Sequence, residues 1–299
     1  YNGMNMENYI LYYYNLNIKN VVKLDNCYYF TSDSDTFYFC KTEYEEKALE
    51  ELNEKVKVNP KYHLMIRNRF YKFLSSYEDS NYVLVRINTL LNDYVTFDDL
   101  LYGNKIRMDK SMVDWPKIWQ AKIDYMEEQM KELGVGKEVL IHSFSYYIGL
   151  GENAISYYNY NKPVSKNISM CHFRMSNPIL PVNYYHPLSL IPDYDVRDYA
   201  EYFKVSFFNE MLDMKEVSKF IFDNRYDYND MILFYSRMLY PTYYFDLFER
   251  SITDNVLEKR IMDVITKSDK YEMLLKDIYY EIRKKYNIPG VDWLIKKSN

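Results

Sequence analysis

The apolar residues of this chain change their period near residue 96. Before it they come in short β-prone runs: Val21-Val22-Lys23-Leu24, Cys27-Tyr28-Tyr29-Phe30, Phe37-Tyr38-Phe39-Cys40-Lys41 and Asn81-Tyr82-Val83-Leu84-Val85-Arg86-Ile87. The polar turn TSDSD separates the second run from the third, which predicts a hairpin or meander. Residues 42–56, TEYEEKALEELNEKV, place Ala48, Leu49, Leu52 and Val56 at helical spacing behind acids that suit the start of a helix. Residues 7–19 fit a short helix or a strand, and His63 to Leu74 is mixed. The first hundred residues therefore read β-β-α-β-β.

From Thr96 onward the period is helical. TFDDLL opens with a capping Thr, and WPKIWQAKIDYMEEQMKELG sets Trp115, Trp119, Ile123, Met126 and Met130 on one side before Gly134, a C-cap candidate. SFSYYIGLGENAISYYN is a second helix, in which Gly149 and Gly151 predict close helix packing. Further helices are expected at about 196–211, 214–223, 228–239, 241–252, 254–267 and 270–285. The expected fold class is α+β, with a small β-rich lobe over 1–95 and a larger helical lobe over 96–299.

Composition removes several functions. With 299 residues, 48% hydrophobic, the chain can bury one large core or two lobes. A formal charge of -5, with 38 basic against 43 acidic residues spread along the length, leaves no concentrated basic field for nucleic acid. No run approaches the roughly 18 apolar residues of a membrane span, and YNGMNMENYI lacks the pattern of a signal peptide. Cys27, Cys40 and Cys171 form no CxxC pair, and an odd number cannot all pair within one chain, so reduced thiols in a cytoplasmic protein are expected. The 36 tyrosines fit either an AT-rich coding bias or an adhesive surface.

A small β lobe, one extended strand and a larger helical lobe is the layout of a kinase. Phosphoryl transfer needs a Lys on a small-lobe strand to hold phosphates and a Glu on the next helix to hold that Lys. It also needs an Asp to orient the nucleophile, then an Asn and a second Asp for magnesium. Lys41 closes a strand ahead of the helix carrying Glu45, Glu46 and Glu50, with Glu46 as its candidate partner; a solvated Lys beside an acidic face is the competing reading. His172 ends an apolar strand, Asp193 follows another, and Asp195 lies two residues on. Asp198 opens a helix and reads as its first-turn acid.

GLGENAISYY, MCHFRM, IPDYDVRDYAEYFK, RMLYPTYYFDLFE and IPGVDWLIK together resemble the aminoglycoside-phosphotransferase-like family, in its endospore coat-associated YutH/CotS-type branch. The resemblance implies a two-lobed kinase-like fold with ATP and Mg²⁺ as the cofactors of active members. It also implies a His-Gly-Asp loop, a downstream Asn and an Asp on the following strand. Carried over, His172 stands at the His, Phe173 at the Gly and Arg174 at the catalytic Asp. Asn177 stands for the magnesium Asn, though closer to His172 than the family spacing, and Asp193 for the magnesium Asp.

Arg174 cannot accept a hydroxyl proton, and it sets a cation where metal ions need anions. The first hairpin turn, Thr31 to Asp35, has no glycine, and Asp33 and Asp35 would repel a triphosphate. The primary expectation is thus a catalytically degenerate kinase-like protein, cytoplasmic or spore-associated, with coat or other assembly proteins as partners. The alternative is an active ATP-dependent small-molecule phosphotransferase that uses Asp193 and Asp195 for metal and Lys41 for phosphates. A third is a helical protein whose cleft binds something other than a nucleotide. Neighbouring Cys171 and His172 face opposite sides of a strand and cannot act together, and His63, His142, His172 and His186 have no metal-ligand spacing.

Overall fold

The computed structural model describes residues 4–88, 94–109, 113–132, 138–251 and 258–296. Its chain divides into two compact units, Tyr1–Thr96 with Pro178–Leu190, and Phe97–Asn177 with Ile191–Asn299. In the first unit, α1 (Met6–Tyr14) precedes β1 (Lys19–Lys23), β2 (Cys27–Ser32), β3 (Asp35–Lys41), α2 (Glu46–Val56), β4 (Leu64–Ile66), β5 (Leu74–Tyr77) and β6 (Ser80–Arg86). The sheet order is β1-β2-β3-β6-β4, with β5 also on β6, and each of these pairings is antiparallel. Among the described residues this unit holds six strands, three before α2 and three after it, where β-β-α-β-β has two on each side; the mixed stretch from His63 to Leu74 holds β4 and the start of β5, only three and four residues long.

Alternation sorts the two faces of the sheet. Tyr28, Phe30, Phe37, Phe39, Tyr82 and Leu84 point to one side and bury against Met6, Tyr9 and Ile10 of α1. Asn5 caps that helix by accepting the Asn8 N–H at 2.9 Å, and Asn15 ends it in the left-handed region at φ 56°. The opposite side carries Tyr29, Tyr38, Cys27 and Cys40, and His186 lies over it with its ring 6.3 Å from that of Tyr38. The segment containing His186 is held to this unit by backbone bonds from Val95 to Ile179 and from His63 to Tyr185, each 3.0 Å. Of the stripe expected on α2, Leu49, Leu52 and Val56 are buried while Ala48 is exposed.

The cysteine expectation requires correction. Register sets Cys27 opposite Cys40 with Cα atoms 4.1 Å apart, and the two form a disulfide. Cys171 alone is free, and it is buried. The chain's odd count concealed a cross-strand pair.

The second unit begins with α3 (Phe97–Tyr102), α4 (Trp115–Glu132), α5 (Glu138–Asn161) and β7 (Ile168–His172). The chain then passes through α6 (Pro181–Tyr184) and a 3-10 turn (Pro187–Ser189) of the first unit before β8 (Leu190–Tyr194), which pairs with β7. There follow α7 (Val196–Phe208), α8 (Met214–Ile221), α9 (Tyr228–Leu239), α10 (Thr242–Ser251), α11 (Glu258–Thr266), α12 (Ser268–Arg283) and α13 (Asp292–Lys296). Helix α9 packs on α5, α7 and α12, and its residues Asp230 to Leu239 are all buried, which makes it the axis of this core. Trp115, Trp119, Ile123 and Met126 of α4 are buried as the spacing predicts, while Met130 is half-buried and Gly134 lies outside the described residues. A Cβ on Gly151 would sit 3.0 Å from Ile123, so α4 and α5 approach closely there, whereas Gly149 has open space. Among the described residues, no helix is long and apolar enough to cross a membrane.

Candidate functional site

The polar residues singled out in the centre of the chain gather where β7 and β8 meet the start of α7. His172 ends β7 with its ring buried; Asp198, in the first turn of α7, accepts the His172 N–H at 2.8 Å and contacts its Nδ1 at 2.8 Å. Burial opposes the Asp198 charge, but His172 and Lys105 outweigh it and hold the carboxyl below the usual carboxylate range. The first-turn acid is therefore turned inward, and its carboxylate fixes the end of a strand.

Asp193, on β8, is fully buried. Its Oδ1 accepts the Trp115 indole N–H at 2.9 Å and the Tyr194 backbone N–H at 2.7 Å, and its Oδ2 accepts Arg197 Nη1 at 2.9 Å. The Trp115 N–H also lies 3.1 Å from Oδ2, so four contacts from three donors occupy the roughly four acceptor sites of one carboxylate. Arg197 also donates from Nε to the His172 carbonyl at 3.1 Å and from Nη2 to that of Phe173 at 3.3 Å. One guanidinium thereby ties β8 to the loop after β7. Asp195 is buried as well, with Oδ2 2.6 Å from Arg107 and Oδ1 without a partner among the described residues.

Arg174 projects from that loop with a side chain 58% exposed. It stacks 4.3 Å over the Phe173 ring, donates to the Phe173 carbonyl at 3.1 Å and reaches Asp246 of α10 at 3.1 Å. Burial raises the Asp246 carboxyl above its ordinary range, against the pull of Arg174. These two side chains help line a cavity of about 1,080 Å³ among α7, α10 and α11, together with Glu201 and Lys204. Glu201 accepts Arg237 Nε at 2.8 Å and pairs with Lys204 at 2.8 Å, while Lys204 also donates to the Arg237 carbonyl and to Thr242 Oγ1. Burial brings the Lys204 ammonium down to about 8.

Asn177 lies elsewhere along α7. Its amide donates to Ser206 Oγ at 2.8 Å, nine residues beyond the Arg197 that holds Asp193. At 1.5 Å per residue those anchor points are about 14 Å apart on the helix. The structure therefore does not bring Asn177 and Asp193 together.

In the β unit, Glu46 is engaged by backbone: its two carboxylate oxygens accept the N–H groups of Phe73 at 2.7 Å and Leu74 at 2.9 Å. Lys41 is exposed, forms no ion pair among the described residues, and shares the sheet face of Phe37 and Phe39 by alternation. The opposite face at this strand belongs to Tyr38 and Cys40 beneath His186. Lys41 and Glu46 are thus not joined as a pair.

Comparison with known proteins gives this geometry a family. Residues 7–278 match the model described as "Spore coat putative kinase YutH". The chain belongs to the spore coat YutH family. The endospore coat-associated protein YutH of Bacillus subtilis (strain 168) is 28% identical over a 230-position match that covers 66% of this chain and 66% of that protein. The match therefore spans just under two thirds of the relative's length. An aminoglycoside phosphotransferase from Alicyclobacillus acidocaldarius superposes with a TM-score of 0.56 at 8% identity, covering 89% of this chain and 93% of that one. A spectinomycin phosphotransferase solved with ADP and spectinomycin gives 0.55 at 10% identity, covering 93% of each chain. A choline/ethanolamine kinase family protein from Mesorhizobium loti gives 0.52 at 6%, covering 87% and 92%. At such identities the likeness is one of fold, and this YutH-family chain has the kinase-like fold: a small antiparallel sheet unit and a larger helical unit.

Sequence reasoning missed the partners that surround these residues. Arg197, Glu201 and Lys204 recur at spacings of four and three along α7, which is one face of a helix. On a helix that also buries Tyr199, Ala200, Tyr202 and Phe203, such a stripe signals an internal charge network. Trp115 as a donor to Asp193 had no local signal, because the two are 78 residues apart.

Proposed function

We propose that this YutH-family chain is a catalytically silent kinase-like protein that serves spore coat assembly by binding coat or other assembly proteins. The observation that carries the reading is the closed shell of Asp193. A magnesium ion would have to displace Arg197, Trp115 or the Tyr194 N–H from a carboxylate already shared among all three. The residues present do not suit the metal. Arg174 supports the same reading, since a guanidinium held by Asp246 and stacked on Phe173 offers no base to an incoming alcohol. So does Lys41, whose sheet face is that of the aromatic core packed under α1. The coat-associated role rests on the family and on the Bacillus subtilis relative's own description.

The test is thermal unfolding of the chain with ATP and Mg²⁺, followed by ATP consumption in the presence of hydroxylated small molecules. A ligand at one hundred times its Kd stabilises a protein by about 2.7 kcal/mol, a readily measured shift. The expected result is no magnesium-dependent shift and no turnover, with Arg174→Asp equally inactive because Asp193 stays sequestered. Magnesium-dependent stabilisation accompanied by phosphorylation of any acceptor would overturn the proposal in favour of an active phosphotransferase.

A further inference from the structure

The outer end of α1 and the loop between β4 and β5 frame a groove of about 450 Å³ in the β unit. Its lining includes Leu11, exposed at 43%, and Tyr12, at 39%, with Arg67 and Arg69; the same loop continues into Phe70, exposed at 55% with its ring 5.9 Å from that of the lining Tyr13, and Tyr71, exposed at 82%. Tyr, Phe and Arg are the residues that anchor protein interfaces, and large apolar side chains gathered on one surface call for an explanation that scattered ones do not.

The loop is built to hold those rings out. Tyr71 has φ 61°, a left-handed conformation that a bulky aromatic rarely takes and that Gly or Asn would adopt with less strain. It is fixed there by its own N–H to the Asn68 carbonyl at 2.9 Å, by Arg67 donating to its carbonyl at 2.6 Å, and by Asn68 N–H to Lys72 carbonyl at 2.8 Å. The Asn68 side chain, itself buried, caps the N–H groups of Phe70 and Lys72 and donates to Ser75 Oγ. Arg69 N–H donates to the Tyr13 carbonyl at 2.8 Å, joining the loop to α1. The backbone of Tyr71 holds the turn, but its exposed ring buries little against this fold, so a strained tyrosine where Asn or Gly would serve points to something that covers the ring.

The charge identifies the occupant's chemistry. Arg67 has Glu50 at 3.3 Å, whereas Arg69 forms no ion pair among the described residues and instead stacks over Tyr12 at 4.5 Å and Phe70 at 5.8 Å. A guanidinium placed over an aromatic ring without an ion-pair partner can still donate from its N–H edges to a carboxylate. We propose that this groove docks an extended, acidic segment of a partner protein, with a carboxylate on Arg69 and an apolar side chain against Tyr12, Phe70 and Tyr71. Two arginines in a chain of net charge -5 make too small a basic field for a nucleic-acid backbone. The proposal is independent of whether the kinase-like site is silent.

The test pans a random dodecapeptide display library on the full chain, with counter-selection on the double variant Arg69→Glu/Tyr71→Asn, whose changes are exposed and favour the left-handed turn. Selected peptides should be enriched in Asp or Glu beside one large apolar residue. Fluorescence polarisation with the best labelled peptide should show affinity falling at least tenfold in Arg69→Glu and in Tyr12→Ala, while circular dichroism stays unchanged. Peptides without acidic enrichment, or peptides that bind the variants as well as the parent, would overturn the proposal. Self-association of the parent that Arg69→Glu abolishes would overturn it too, by making a second copy the occupant.

Discussion

Replacing Asp193 by Asn separates a structural carboxylate from a metal ligand by the sign of a stability change. Asn keeps the shape and can still accept the Trp115 and Tyr194 N–H groups, but it leaves Arg197 charged with no carboxylate in contact. Asp193 is fully buried and the Arg197 side chain is 7% exposed, so water cannot screen the loss. Removing one partner of a buried ion pair costs about 3–5 kcal/mol. Glu201, which also favours the Arg197 charge, moves the expectation to the low end, about 3 kcal/mol, a large fraction of a typical stability of roughly 5–15. All three tryptophans, Trp115, Trp119 and Trp293, belong to the helical unit, so urea unfolding followed by tryptophan fluorescence reports that unit. Arg197→Met should destabilise as well, and the double variant should lose less than the sum of the two, because the stranded charge disappears. An acid kept for a cation, by contrast, is bought at the expense of stability, so removing it leaves the fold unchanged or firmer. An Asp193→Asn chain within about 1 kcal/mol of the parent, or singles that simply add, would refute the closed-shell reading.

Two further outcomes follow from the same coordinates. Burial, against the opposing attraction of Glu201, brings Lys204 down to about 8 in the fold from an ordinary 10.5, so between those values the unfolded chain holds more protons at this group and its contribution to stability rises with pH. Relative to Lys204→Met, the parent should gain about 2 kcal/mol from pH 8 to 10, while the absolute stability of both falls over that span, because tyrosines such as Tyr28 and Tyr244, pushed up to about 12 by burial, begin to ionise in the unfolded chain before they do in the fold. A difference between parent and Lys204→Met that stays flat from pH 8 to 10 would remove that account. Thiol titration of the denatured chain should find one thiol without reductant and three with it, and reduction should cost the β unit about 3 kcal/mol by the loop-entropy estimate. Three thiols without reductant would show that the cross-strand pair is open.

What the sequence made legible, and what it hid, divides along a physical line. Period and propensity are local, and they located β6, α4, α9 and the change of architecture near residue 96. Helix α1 was ambiguous because Tyr12-Tyr13-Tyr14 has no polar face to set a period. Strands β4 and β5 are too short to alternate visibly, and only their pairing with β6 defines them. The assignment of Pro178–Leu190 to the β unit rests on contacts such as His63 N–H to the Tyr185 carbonyl, 122 positions apart, which no pattern announces. Motif reading found the residues His172, Arg174 and Asp193 but not their partners, since a motif specifies positions along the chain while an electrostatic environment is assembled from distant segments.

Lys41 shows that some of this information was present and unused. A strand alternates, so once Phe37 and Phe39 are assigned to the aromatic face, Lys41 must share it, whatever its rank in a motif. Moving that ammonium to the other face would require a one-residue slip of β3 against β2 and β6. The same slip would turn Phe37 and Phe39 out of the core under α1 and separate Cys27 from Cys40. Two buried phenylalanines are worth about 3–6 kcal/mol at roughly 1.5–3 kcal/mol each, more than one exposed lysine could return by gripping a phosphate across a surface ion pair of about 0–1 kcal/mol. The register is therefore set by the core, and the position of Lys41 follows from it.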